Sequence, residues 1–127
     1  MRSFTIEIEL RITEEHSKAG KHTVIKNFIR YLSTDEILPA MDSLKATIYY
    51  CYNVYSKNKG KSYYEHNDLN IVIKENNIIH SRIGLYEIDS YVKEAQHTEQ
   101  KTVKAYRYNA PAIVYRLFVR CLNYAIN

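Results

Sequence analysis

The sequence predicts an α+β fold, an antiparallel sheet with helices on one face, in the order β-α-α-β-β-β-α. Three observations carry this expectation. Residues 4–13 alternate apolar and polar, residues 37–55 hold an apolar stripe at helical spacing, and Asn109-Ala110-Pro111 opens a helix-length apolar segment at the C-terminus. A chain of 127 residues fits one domain with a core large enough to fold without metals or disulfides.

Taken in order, Phe4, Ile6, Ile8, Leu10 and Ile12 share one face of a strand, with Thr5, Glu7, Glu9, Arg11 and Thr13 on the other. Glu14 to Lys21 is polar and contains Gly20, which reads as a loop. Val24, Phe28 and Tyr31, with Ile25, Ile29 and Leu32, recur at helical spacing, so 23–32 is expected to be a helix. Ser33 to Glu36 is a capping-box pattern that starts a second helix. Its stripe of Ile37, Met41, Leu44, Ile48, Cys51 and Tyr55 steps by 4, 3, 4, 3 and 4 residues, a register that outweighs the β propensity of 48–55. Gly60 is the expected stop. Strands are expected at 69–74 and 78–89 around a turn at Glu75-Asn76-Asn77, since Asn tolerates left-handed conformations. Residues 90–101 read as a loop or short surface helix, 102–108 as a strand, and 110–126 as the final helix, with Asn109 as N-cap.

Composition is ordinary for a globular protein at 46 % hydrophobic and 25 % charged, apart from 13 Tyr and no Trp. Tyr has an apolar body and a polar tip, so many of these rings belong at boundaries. Cys51 and Cys121 are far apart in apolar contexts, as expected of free thiols in a reducing cytoplasm. No apolar run approaches the length of a membrane span, and Met1 leads directly into a strand, so the expected location is cytoplasmic.

The net charge of +4 comes entirely from the last 28 residues, which hold Lys101, Lys104, Arg107, Arg116 and Arg120 and no carboxylate. Tyr106, Tyr108, Tyr115 and Tyr124 are interleaved with them. Cations with flat aromatics suit phosphate neutralisation and base stacking. Lys57, Lys59 and Lys61 alternate across a loop followed by Tyr63, and can act as separate phosphate contacts. The expected binding residues are therefore Lys57, Lys59, Lys61, Tyr63, Lys104, Tyr106, Arg107, Tyr108, Arg116 and Arg120.

On a helical wheel of the last helix, Val114, Leu117, Phe118, Cys121, Tyr124 and Ala125 point toward the core, and Arg116, Arg120 and Asn123 form a polar wedge. Tyr115, Leu122 and Ile126 lie off the core direction yet stay apolar. They mark either an oligomer interface, such as a homodimer, or a helix wedged between the sheet and the long helix of the same chain.

No cofactor, metal or catalytic set is expected. The five histidines lack metal-ligand spacing, and Glu65-His66-Asn67-Asp68 are consecutive residues that seldom converge on one ion. No glycine-rich phosphate loop or nucleophile elbow is present. The expected order of elements resembles that of the RelE/ParE-type toxins, small basic ribonucleases. That resemblance implies a metal-independent ribonuclease with His80 and Arg82 on one strand and Lys104, Arg107 and Tyr108 on another. The first expectation is instead a non-catalytic protein acting by occupancy on a nucleic acid or nucleoprotein, such as a phage or mobile-element accessory protein. The alternative is a protein-binding inhibitor of a host defence system or a toxin immunity protein, since Tyr and Arg also dominate protein interfaces.

Overall fold

The alternating segment at the N-terminus becomes the spine of the fold. In the computed structural model, which describes residues 2–16, 20–57, 67–98 and 110–127, strand β1 (Ser3–His16) pairs on one side with β2 (Gly20–Ser33) and on the other with β3 (Asp68–Glu75). Strand β4 (Ile78–Ile83) extends the far edge, giving an antiparallel order β2-β1-β3-β4. The period of two places Phe4, Ile6, Ile8, Leu10 and Ile12 in the core, all at most 3 % exposed. Leu69, Ile71, Ile73 and Ile83 continue that buried face.

Among the described residues, three helices cover this face: α1 (Thr34–Lys57), α2 (Leu85–Thr98) and α3 (Ala110–Ile126). Helix α1 lies against β1, β2 and β3, whereas α2 and α3 lie against β3 and β4. The order is thus β-β-α-β-β-α-α, so the α+β class holds while the predicted sequence of elements does not.

Residues 23–32 form a strand where a helix is expected. Val24, Lys26, Phe28, Arg30 and Leu32 stand opposite the core-facing residues of β1, and Ile25, Asn27, Ile29 and Tyr31 point to the other face. Both faces of β2 are part apolar, which imitates helical periodicity, but Thr, Val and Ile at 23–25 favour the extended chain. The second difference follows β4, where the expected strand 78–89 stops at Ile83. Gly84 gives its backbone N–H to Glu87 Oε2 (3.0 Å), capping α2, which buries Ile88 and Val92.

Other local signals act as read. Glu36 Oε1 accepts from the Ser33 backbone N–H (3.0 Å) and hydroxyl (2.8 Å), closing the cap at the start of α1 and lowering the Glu36 pKa. The α1 stripe is buried at Ile37, Leu44, Ile48, Cys51 and Tyr55, and the helix runs through 48–55 to Lys57. Asn76 (φ 50°) and Asn77 (φ 67°) are both left-handed, the geometry of a two-residue hairpin turn matched to strand twist. The expected strand 102–108 and the lysine loop beyond Lys57 lie outside the described residues.

Helix α3 is the wedge of the helix layer, in contact with α1, α2, β3 and β4. Its wide apolar arc is accounted for inside one chain. Leu122, expected at an oligomer interface, is 1 % exposed within the core, and Tyr124, expected in the core, is 87 % exposed. Tyr115 and Ile126 are half-buried against the same core, with Tyr115 6.3 Å from the Phe118 ring and 5.6 Å from Lys45 Nζ of α1.

Candidate binding surface

The helices cover one face of the sheet and leave the other open among the described residues. That open face is built from the alternate residues of each strand: Thr5, Glu7, Glu9 and Arg11 of β1, Ile25, Asn27, Ile29 and Tyr31 of β2, Asn70, Val72 and Lys74 of β3, and Arg82 of β4. The register sets Glu7 between Ile29 and Val72, and Val72 opposite Arg82. A cleft of about 350 Å3 runs across the middle strands, lined by Glu7, Glu9, Asn27, Ile29, Asn70, Val72, Lys74 and Arg82.

The charges on this face nearly cancel. Glu7, Glu9 and Asp68 are set against Arg11, Lys74 and Arg82. Lys74 Nζ meets Glu7 Oε2 at 3.0 Å, and Arg11 Nη2 stands 3.8 Å from Glu9 Oε1. Asp68 accepts hydrogen bonds from the Leu69 N–H (2.9 Å) and the Asn70 side-chain amide (2.9 Å). Beside this mixed-charge cleft stand three exposed apolar side chains of β2: Ile25 (49 % exposed), Ile29 (45 %) and Tyr31 (75 %). An open antiparallel sheet face is normally polar, so an apolar row there is the informative departure. The signal was present in the sequence as Ile25, Ile29 and Tyr31 on one parity of a strand, hidden by the helical reading.

The expected basic surface is only partly described, and its described members lie apart. Lys59, Lys61, Tyr63, Lys104, Tyr106, Arg107 and Tyr108 lie outside the described residues. Helix α1 runs antiparallel to α3, because Arg2 bonds the start of α1 (Thr34 N, 3.2 Å) and the end of α3 (Ala125 O, 2.9 Å), while Lys45 meets Tyr115. Lys57 is three turns of α1 beyond Lys45, about 18 Å along the axis, and so lies well removed from Arg116 and Arg120. Those two arginines are exposed and fall with Tyr124 at i, i+4 and i+8, a single line along α3.

His80 and Arg82 do not converge either. A bulge between Ile73 and Lys74 leaves His80 as the extra residue of β4. Its ring lies 2.9 Å from Glu75 Oε1 and 6.4 Å from the Phe4 ring, on the helix side, while Arg82 stands on the open face. The observed order of elements also differs from the one on which the resemblance to RelE/ParE-type toxins rests, and Lys104, Arg107 and Tyr108 of that reading lie outside the described residues. Asn67 and Asp68, from the cluster of potential metal ligands, serve backbone and side-chain amides: Asn67 Oδ1 accepts from Thr13 N at 2.8 Å. Among the described residues, no group of three or more His, Cys, Asp or Glu could hold a metal ion. Burial pushes the Cys51 thiol up to about 11 and raises that of Cys121, which removes thiolate character at neutral pH. No described helix is long and apolar enough to cross a membrane.

A clasp at the other end of the fold has a measurable pH signature. Arg2 donates to Glu75 through Nε (2.7 Å) and Nη2 (2.9 Å), and to the terminal carbonyls of Ala125 and Ile126. A guanidinium is well placed there, at the negative end of α3. The hydrogen bonds from Arg2, then the contact with His80, lower the Glu75 carboxyl from 4.5 to about 2. A depressed folded-state pKa stabilises above the unfolded value and loses that contribution as pH falls through the folded one. The denaturation midpoint of the native protein should therefore fall more steeply between about pH 4.5 and 2 than that of Glu75→Gln. Parallel acid limbs for the two proteins would show that the clasp adds no stability.

No protein-family model, curated protein or solved structure matches the chain.

Proposed function

We propose that this protein is a non-catalytic binding module that acts by occupancy on a protein partner, docking through the β2 side of its open sheet face. The observation that carries the reading is the row of Ile25, Ile29 and Tyr31 beside a cleft of balanced charge. Aromatic and aliphatic side chains ringed by polar groups are the anatomy of a protein interface. A phosphate groove needs an excess of cations, and Glu7 and Glu9 near the middle of this face oppose a polyanion. The function class that fits is an inhibitor or immunity-type protein, in a reducing compartment such as the cytoplasm that suits Cys51 and Cys121 as free thiols.

The test is affinity capture from nuclease-treated host extract with the native protein, followed by titration of the captured protein against variants. A single partner should be retained, and Tyr31→Ala or Ile29→Asp should weaken it by about 2 kcal/mol or more, roughly thirtyfold. Capture that vanishes with nuclease, or that ignores both substitutions, would overturn the reading.

A second reading rests on Arg116, Arg120 and Tyr124, exposed in line on a helix without a carboxylate. It assigns α3 to nucleic acid. It requires a mobility shift with DNA or RNA that weakens steeply with salt and is lost in Arg116→Glu/Arg120→Glu.

A further inference from the structure

The apolar row on β2 is too narrow to be a whole docking surface. Specific protein interfaces bury about 800 Å2 on each partner, whereas Ile25, Ile29 and Tyr31 form a strip one strand wide. A partner seated on that strip therefore also covers the neighbouring cleft, which crosses β1 and β3 to Arg82 of β4. The register carries one line of side chains across the sheet, Ile29–Glu7–Val72–Arg82. Ile29 and Arg82 thus stand three strand spacings apart, about 14 Å.

The charges along this path are not equally provided for. Glu7 is held by Lys74 at 3.0 Å, and Glu9 by Arg11 at 3.8 Å. Asp68 accepts from the Leu69 N–H and the Asn70 amide, and Glu87, which follows β4, accepts from the Gly84 N–H. Arg82 makes no hydrogen bond or ion pair among the described residues, and its direct neighbour on this face is the apolar Val72. In water an unpaired guanidinium costs nothing. Once a partner excludes water it becomes a buried charge without a counter-ion, which costs several kcal/mol unless the partner supplies an acceptor. A carboxylate is the matched acceptor, because the planar fork of Arg meets it with two parallel hydrogen bonds. A phosphate backbone would also satisfy Arg82, but its further charges would fall against Glu7 and Glu9.

We infer that Arg82 is the charged anchor of the docking face, and that the cleft takes an Asp or Glu side chain of the partner protein. The inference rests on the protein-binding reading above and adds the partner's chemistry. That partner presents an aliphatic or aromatic patch to Ile29 and Tyr31, and an acidic residue about 14 Å away, across the strands, to Arg82. The apolar contacts supply most of the affinity, and the single charge pair supplies selectivity, since a partner without the acid leaves Arg82 buried and unpaired.

The probe is a displayed library of random peptides of about twelve residues, which span about 18 Å even as a helix, panned on the native protein and on Arg82→Glu. The native protein should enrich sequences that join Asp or Glu to aliphatic or aromatic residues. Arg82→Gln should weaken those peptides about tenfold or more, and Arg82→Glu should enrich Lys or Arg in place of the acid. Enriched peptides without an acidic residue, or equal affinity for the native protein and Arg82→Gln, would overturn the inference. So would an oligonucleotide that binds the native protein and is lost with Arg82→Gln, which assigns the guanidinium to a phosphate. NMR of the unmodified protein gives the same decision without a variant: an enriched peptide should shift amides around both Ile29 and Arg82, and shifts that leave out Arg82 count against the anchor. The two readings fail separately. Peptides weakened by Ile29→Asp but not by Arg82→Gln keep the open face and remove the anchor. Peptides indifferent to Ile29→Asp and Tyr31→Ala, or no enriched peptide at all, remove the docking face itself.

Discussion

Phe118→Ala lowers the unfolding free energy by about 3–5 kcal/mol, measured by denaturant titration. Phe118 is fully buried near the middle of α3, the helix that touches both other helices and two strands. Truncating the ring removes its burial and leaves a cavity. The helix is walled by α1, α2, β3 and β4, and its C-terminal carbonyls are held by Arg2, so the site has little freedom to collapse. Tyr124→Ala on the same helix should stay within about 0.5 kcal/mol, since Tyr124 is 87 % exposed. The contrast tests the orientation of α3. The helical wheel of the sequence set Tyr124 inward beside Phe118 and Leu122 outward, and a cost at Tyr124 as large as that at Phe118 would restore that orientation.

The wheel erred because an apolar arc wide enough to touch three neighbours has no sharp centre. Residues on either side of the true core direction look equivalent until the positions of α1 and α2 are known. Where a segment has a single buried face, the sequence was sufficient. Strand β1, with one parity apolar, and α1, with one stripe and a cap at Ser33, lie where their patterns put them. The same holds for the turn at Asn76-Asn77, which needs only local backbone chemistry.

Strand β2 fails for a reason tied to its proposed role. A strand that only filled the core would carry apolar residues on one parity and polar residues on the other. In β2, Lys26 and Arg30 occupy the core-side parity, and Ile25, Ile29 and Tyr31 the open one. That inversion hides the period of two and creates the surface assigned to binding. Helix α2 is obscured differently, because its apolar positions Ile88 and Val92 are few and sit in a polar stretch. Its clearest local mark is the Gly84–Glu87 cap, which is easy to pass over when the preceding strand is read too long. Of the ten residues expected to bind nucleic acid or another partner, only Lys57, Arg116 and Arg120 lie among the described ones, and linear composition could not tell that Lys57 stands at the far end of α1 from the others.

Leu44→Ala costs about 2–5 kcal/mol, whereas Leu38→Ala changes stability by no more than about 0.5 kcal/mol. Both leucines sit on α1, six residues apart, and their helix propensities and transfer energies are the same, so only position separates them. Leu44 is 1 % exposed, one of the apolar residues along the buried stripe, and its removal opens a void between the helix and the sheet. Leu38 is 82 % exposed, next to Pro39 in the first turns, where neither the hydrogen bond missing at Pro39 nor the side chain of Leu38 is part of the core. The rotation of α1 that buries Leu44 also turns Ser43 toward Arg30 and Tyr50 toward Lys26, so the same measurement bears on how α1 packs on β2. Equal costs at the two leucines would mean that α1 is rotated about its axis. The contacts of Lys26 with Tyr50 and of Arg30 with Ser43 would then be lost.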